Sequence, residues 1–162
     1  MKTNIQIILE LAAFYAADPV GRRAFIPNTN ESGPFEKGGG KGFCVYETRI
    51  NAESSESKRC GVGHCMTDVA IEMYGGTEGG VERLAMAAGD FNDDDSEASD
   101  EELQGWLDSI LKPEYRGHPL QFWENVQRFH DTADYWDETS LTPRGITYLN
   151  SLLLHPVSTT VS

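Results

Sequence analysis

The sequence predicts an α+β fold, mostly helical, with about six helices and one small β-hairpin. Three observations predict it. Apolar residues recur at helical spacing in several separate segments. One stretch only, within residues 43–62, alternates as half-buried strands do. The chain has 162 residues and 39% of them are apolar, enough for residues 1–162 to form a single domain with its own core and too many for a disordered chain.

The first helix falls in "TNIQIILELAAFYAADP". Ile5, Ile8, Leu9, Ala12 and Tyr15 share a face at helical spacing. Thr3 or Asn4 is placed to cap it, and Pro19 with Gly21 to stop it. Lys2, the apolar run and the small Ala16 and Ala17 have the outline of a secretory leader. Gln6 and Glu10 interrupt the run, so an amphipathic helix is expected instead. No stretch approaches the roughly 18 uninterrupted apolar residues of a membrane span, and no membrane partner is expected.

Residues 27–42, "PNTNESGPFEKGGGKG", predict a flexible loop. Its triple glycine lacks the Gly-x-x-x-x-Gly-Lys-Ser/Thr spacing of a phosphate loop. "FCVYETRI" (43–50) predicts a strand that buries Phe43 and Val45, with Tyr46 as a further candidate. "KRCGV" (58–62) predicts its partner across the polar turn "NAESSES".

A helix is expected through "HCMTDVAIEMYGG", with Val62, Cys65, Met66, Val69 and Met73 as the inner stripe. Gly75 or Gly76 is expected as its left-handed terminal residue. "GVERLAMAAG" predicts a short helix that turns Val81, Leu84, Ala85 and Ala88 inward and ends at Gly89. An acidic loop, 90–99, follows. Ser99 and Glu102 then have capping-box spacing, and Leu103, Trp106, Leu107, Ile110 and Leu111 form an apolar face closed by Pro113. The next helix starts near Pro119, with Trp123, Val126, Phe129, His130, Ala133 and Trp136 as its stripe. In the last, Thr142 caps, Pro143 opens, and Ile146, Leu149, Leu152 and Leu153 face inward. Residues 155–162 predict a frayed tail. No internal repeat is present.

Charge sets the function classes. Lys plus Arg is 13 and Asp plus Glu is 26, so 13 − 26 leaves a net charge of −13. Such a surface repels phosphate backbones, which argues against direct nucleic-acid binding. It favours basic partners, including a protein groove that normally holds nucleic acid. Three cysteines are an odd count for a disulfide scaffold, and a reducing compartment such as the cytoplasm fits them better.

Three constellations carry possible chemistry. The densest is "SKRCGVGHCMTD" (57–68). Cys60, His64 and Cys65, with Cys44 on the neighbouring strand, have the atoms of a tetrahedral zinc site but not the paired knuckles. Cys44 and Cys65 read equally as small core residues. Second, Cys60 precedes a helix N-terminus, where the dipole lowers a thiol pKa. His130, followed by Asp131, is the natural base for it, and His64 the second choice. Against this, His130 lies on an apolar stripe with Val126 and Phe129, the usual setting of a packed core histidine.

The third is the acidic run "DFNDDDSEASDEE" (90–102), with eight carboxylates in thirteen residues. Asp90, Asn92, Asp94, Ser96 and Glu101 occupy the first, third, fifth, seventh and twelfth positions of a calcium loop. Asp95 stands where that loop needs glycine, and Glu97 where it needs an apolar residue. A solvated linker is the plain reading. The sharper one is a negative surface that imitates nucleic-acid phosphates, made by Asp90, Asp93, Asp94, Asp95, Glu97, Asp100, Glu101 and Glu102 and continued by Asp108 and Glu114. It also explains the charge of the whole chain. Phe122, Trp123, Phe129, Tyr135 and Trp136 form an aromatic group expected mainly in the core, with Tyr135 and Trp136 as candidates for a pocket edge.

"FCVYETRI … KRCGVGHCMTD … YGGTEGG" resembles a loose group of small uncharacterised bacterial and phage proteins. That group shows a Cys-x-Tyr strand, a basic residue with Cys-Ala-x-Gly opening a helix, an acidic-Gly turn, and a later Leu-Gln-x-x-His-Asp stretch. Cys44 and Tyr46 match the first element. Arg59, Cys60, Val62 and Gly63 match the second, with Gly61 in place of alanine. Glu78 and Gly79 match the third. Val126, Gln127, His130 and Asp131 match the last, with valine in place of leucine. The likeness spans the middle two-thirds of the chain and carries no established activity. It implies a phage or mobile-element setting and a shared structural role for Cys60 and His130. The acidic run and the glycine-rich loop depart from the group.

The sequence therefore predicts a non-enzymatic acidic binding protein without a cofactor. It would act in the host cytoplasm and inhibit a host defence or nucleic-acid-handling protein by occupying a basic surface. The alternatives are a cysteine-dependent hydrolase or transferase using Cys60 and His130, and a small-ligand or metal-binding protein. Oligomeric state is left open.

Overall fold

The local signals at helix ends become hydrogen bonds in the computed structural model, which describes residues 1–22, 25–26, 43–44, 47–49, 57–77, 79–91 and 97–155. Among these residues the fold is mostly helical. Helix α1 (Asn4–Ala17) opens on a capping box: the Thr3 hydroxyl accepts from the Gln6 N–H and the Gln6 side chain accepts from the Thr3 N–H. It buries Ile7, Ile8, Leu11, Ala12 and Tyr15. The predicted face is corrected here, because Ile5 and Leu9 are 42% and 48% exposed. Apolar residues reach round most of α1, so their spacing predicts a helix without selecting its face. Contacts on the opposite flank, Glu10 with Tyr115 and Phe14 with the His64 ring, fix the helix to other elements. Pro19 opens a four-residue helix, α2 (Pro19–Arg22), after the Asp18 cap.

Strand β1 (Phe25–Ile26) pairs antiparallel with β2 (Phe43–Cys44). Strand β3 (Glu47–Arg49) pairs antiparallel with β4 (Ser57–Arg59), Thr48 opposite Lys58. The predicted loop 27–42, the positions Val45 and Tyr46, and residues 51–56 of the predicted turn lie outside the described residues, while Ser57, the last residue of that turn, already opens β4. The strand predicted over 58–62 ends at Arg59, because Cys60 already caps a helix.

The one helix predicted through residues 64–76 is two: α3 (Gly61–Cys65) and α4 (Asp68–Tyr74). Between them Met66 is extended and bridges Leu111. The Cys65 carbonyl accepts from the Lys112 N–H at 2.9 Å, and the Ile110 carbonyl from the Thr67 N–H at 3.0 Å. Thr67 then caps α4 through the Ala70 N–H. The restart rotates the buried face to Ala70 and Ile71, so the predicted stripe residues Val69 and Met73 are 67% and 66% exposed. Gly75 has right-handed angles, and Gly76 is not left-handed either. The left-handed glycine of this turn is Gly79, at φ 108°.

Helix α5 (Val81–Ala88) ends at Gly89 as predicted, although Gly89 is not the left-handed residue. Gly89 keeps φ −82°, and Asp90 takes the left-handed angle, φ 50°. The Phe91 N–H donates to the Met86 carbonyl and the Asp90 N–H to the Ala87 carbonyl, the two bonds of a Schellman ending. Helix α6 (Asp100–Ile110) and a 3-10 turn at Pro113–Tyr115 lead to α7 (Leu120–Asp131), for which Pro119 is the cap residue. A 3-10 turn at Ala133–Tyr135 precedes α8 (Pro143–Leu154), capped by Thr142 as predicted. Leu152 is buried in α8, but Ile146 is 47% exposed, against prediction. The described helices share one core centred on Tyr15, Leu84, Leu107, Phe122 and Trp123. Among the described residues no helix is long and apolar enough to cross a membrane. The tail from 156 onward lies outside them.

Candidate functional site

The acidic surface begins where α5 ends. From 84 to 111 the chain has no lysine or arginine and nine carboxylates. Four of them, Asp100, Glu101, Glu102 and Asp108, are carried by α6. Helix α6 buries Leu103, Leu107 and Ile110 against the core. Its first turn is fixed by a capping box: Ser99 accepts from the Glu102 N–H at 3.2 Å, and Glu102 accepts from the Ser99 N–H at 2.9 Å. Those bonds from Ser99 hold the Glu102 carboxyl below the usual range. Trp106 locks α6 to α5. Its ring lies over Gly89, where a β-carbon would come within 2.3 Å, and 5.3 Å from the Phe91 ring.

Glu97, Asp100, Glu101 and Glu102 are all exposed, as is Asp90. None of the four glutamate and aspartate side chains from 97 to 102 has a cationic partner among the described residues. The macrodipole of α6 favours negative charge in that first turn, so three adjacent carboxylates are tolerated there. Asp108 does not extend this face as a free charge. It accepts from the Gly117 N–H, and burial raises its pKa. Asp93, Asp94 and Asp95 lie outside the described residues, as do Asn92 and Ser96 of the calcium-loop register. Among the described residues, no three His, Cys, Asp or Glu side chains meet as a metal-ligand set.

The cysteine constellation is brought together in part and sealed. Cys60 caps α3, its Sγ accepting from the Gly63 N–H at 3.3 Å. Gly61 packs on α7: a β-carbon there would lie 3.1 Å from Val126 Cγ1 and 3.6 Å from His130 Cβ. His130 Nδ1 is 2.7 Å from Asp131 Oδ1, and its ring meets that of Tyr15 edge-on at 4.9 Å. Cys60 and His130 are each 1% exposed. Burial, with the Asp131 charge nearby, pushes the Cys60 thiol far above its ordinary value. Burial of this kind disfavours the thiolate, the form in which a cysteine acts as a nucleophile.

Of the zinc grouping, Cys60, His64 and Cys65 are described, and they form no metal-ligand set among the described residues. Cys60 Sγ turns to Gly63, while His64 Nε2 points to Glu10 Oε1 at 3.4 Å. Cys65 is buried and is a free thiol like Cys60. The side chain of Cys44 lies outside the described residues.

One polar cluster had no signal in the sequence. The Glu10 carboxylate accepts from Tyr115 Oη and Lys2 Nζ and lies beside His64. Lys2 Nζ also donates to Tyr115 Oη at 3.1 Å. These bonds hold the Glu10 carboxyl below its ordinary value although burial alone would raise it. Partners 105 residues apart leave no local pattern to read. Of the aromatic group, Phe122, Trp123, Phe129 and Trp136 are core, and Tyr135 is half-buried. No protein-family model, no curated protein and no solved structure matches the chain.

Proposed function

We propose that this chain is an acidic binding protein that occupies a basic surface on a partner protein, in place of nucleic acid. The first turn of α6 carries the reading: Asp100, Glu101 and Glu102 are exposed on a capped helix seated on the core, inside a cation-free stretch. A fixed array of charges keeps more of its attraction than a mobile one, because less ordering entropy is lost on binding. Charge complementarity of this kind raises association rates and excludes acidic partners. The likeness to bacterial and phage proteins supports a mobile-element setting, with a host defence or nucleic-acid-handling protein as target in the cytoplasm.

The test is capture from bacterial extract on the immobilised chain at rising salt. Basic proteins should be retained at low salt, released as salt rises, and displaced by duplex DNA. Retention of no basic protein, or retention indifferent to salt, contradicts the proposal.

A further inference from the structure

A second surface, unrelated to the acidic face, lies where the 3-10 turn Ala133–Tyr135 meets α8. Gly145 creates it. A β-carbon at Gly145 would come within 2.2 Å of the Tyr135 carbonyl oxygen, so only glycine lets the turn lie directly on the helix. The Thr142 N–H donates to that carbonyl at 2.9 Å, and Thr142 Oγ1 donates to the Asp134 carbonyl. Tyr135 is thereby stacked on Tyr148, with centroids 4.8 Å apart and planes 21° apart. Tyr148 is in turn stacked on the core residue Phe129 at 6.2 Å. This ladder of rings is backed by the core.

Beside it runs an open groove of about 420 Å³, lined by Tyr135, Pro143, Arg144, Thr147, Tyr148 and Ser151. That volume is in the range of small-molecule sites. The hydroxyl protons of Thr147 and Ser151 are already spent on the Pro143 and Tyr148 carbonyls. Arg144 is the one charged side chain of the lining. It is 74% exposed, and one of its terminal nitrogens meets Asp134 Oδ2 at 2.6 Å. A guanidinium has five donors, so most remain for a ligand. An exposed ion pair of this kind is weak and readily exchanged. Arg128 lies close enough to the Tyr148 hydroxyl to oppose the upward push that burial gives its pKa.

We propose that this groove binds a small aromatic carboxylate, its ring against Tyr135, Tyr148 and Pro143 and its carboxylate on Arg144. The chain's charge of −13 gives an anion no long-range attraction, so selectivity must come from Arg144 at contact distance.

The probes are 3-phenylpropionate, its neutral amide and the matching amine, each titrated into the full chain and followed by NMR shifts of Tyr135 and Tyr148. The acid should bind about tenfold more tightly than the amide, the step expected of a charge-assisted hydrogen bond, and the amine least. Arg144→Gln should erase the difference between acid and amide. Asp134→Asn, which releases the guanidinium, should enlarge it. Ser151→Trp should block all three probes while leaving the thermal midpoint near that of the parent chain. Equal binding of acid and amide, no saturable shift, or indifference to Ser151→Trp would overturn the proposal.

Discussion

Cys60 is subject to two opposed influences, and burial wins. As the cap of α3 it sits at the positive end of a helix, which lowers a thiol pKa by fractions of a unit to a few units in open sites. Here the helix has only five residues, and the sulfur is 1% exposed beside Asp131. Cys60 and Cys65 should therefore react with a thiol probe at neutral pH more slowly than free cysteine, and reach the free rate only after unfolding in denaturant. Labelling of native Cys60 at or above the free rate would restore the nucleophile reading. Sequence could place Cys60 before a helix and His130 on an apolar stripe, since both follow from spacing. It could not weigh burial against dipole, because burial depends on Tyr15 and Val126 arriving from elsewhere.

Helix caps carried most of the local information at the level of the element. Thr3, Ser99 and Thr142 act as their positions predict, because a cap is a matter of three or four consecutive residues. Faces were less legible. Helices α1, α4 and α8 each expose residues that periodicity turned inward, namely Ile5, Leu9, Val69, Met73 and Ile146. In α4 the cause is the break at Met66 and Thr67, which answers a bridge to Leu111, 45 residues away by subtraction. Glycine roles also need the partner. Gly89 looked like a left-handed terminator, yet its function is to receive the Trp106 ring. Gly89→Ala should consequently destabilise the chain by about 1–3 kcal/mol, as overpacking does, although alanine suits a right-handed helix end. Denaturant midpoints measure it. A neutral or stabilising result would mean that Trp106 does not hold α5 to α6.

The whole molecule has a pH dependence with a definite sign. Burial lowers the pKa of His64 and of His118 below the ordinary 6.5, so both favour the neutral ring in the fold. The stability they contribute is present above that unfolded value and is lost as pH falls through the lower folded values. Glu10, also lowered on balance, adds a second loss of the same sign in the carboxylate range. Asp108, raised by burial, opposes it, since its protonation relieves a buried charge. The denaturant midpoint should hold steady near neutrality and decline in acid. It should decline again in alkali, as the buried Cys60 and Cys65 thiols, raised by burial, resist ionising. Glu10→Gln should flatten the lower part of the acid decline. A midpoint that rises on acidification below neutrality would contradict the assignment of His64 and His118. This cluster was illegible in the sequence, while the net charge could be read directly from it.

The proposed function rests on that charge. The most direct measurement is capture from bacterial extract on the immobilised chain, run beside a variant with Asp93, Asp94, Asp95 and Asp100 changed to asparagine and Glu101 to glutamine. Glu102 is kept because it closes the capping box. The parent should retain a basic protein whose binding weakens steadily with salt, and the variant, folded to the same thermal midpoint, should lose most of that retention. Equal retention by parent and variant, or retention that salt does not weaken, would contradict an acidic face as the binding surface.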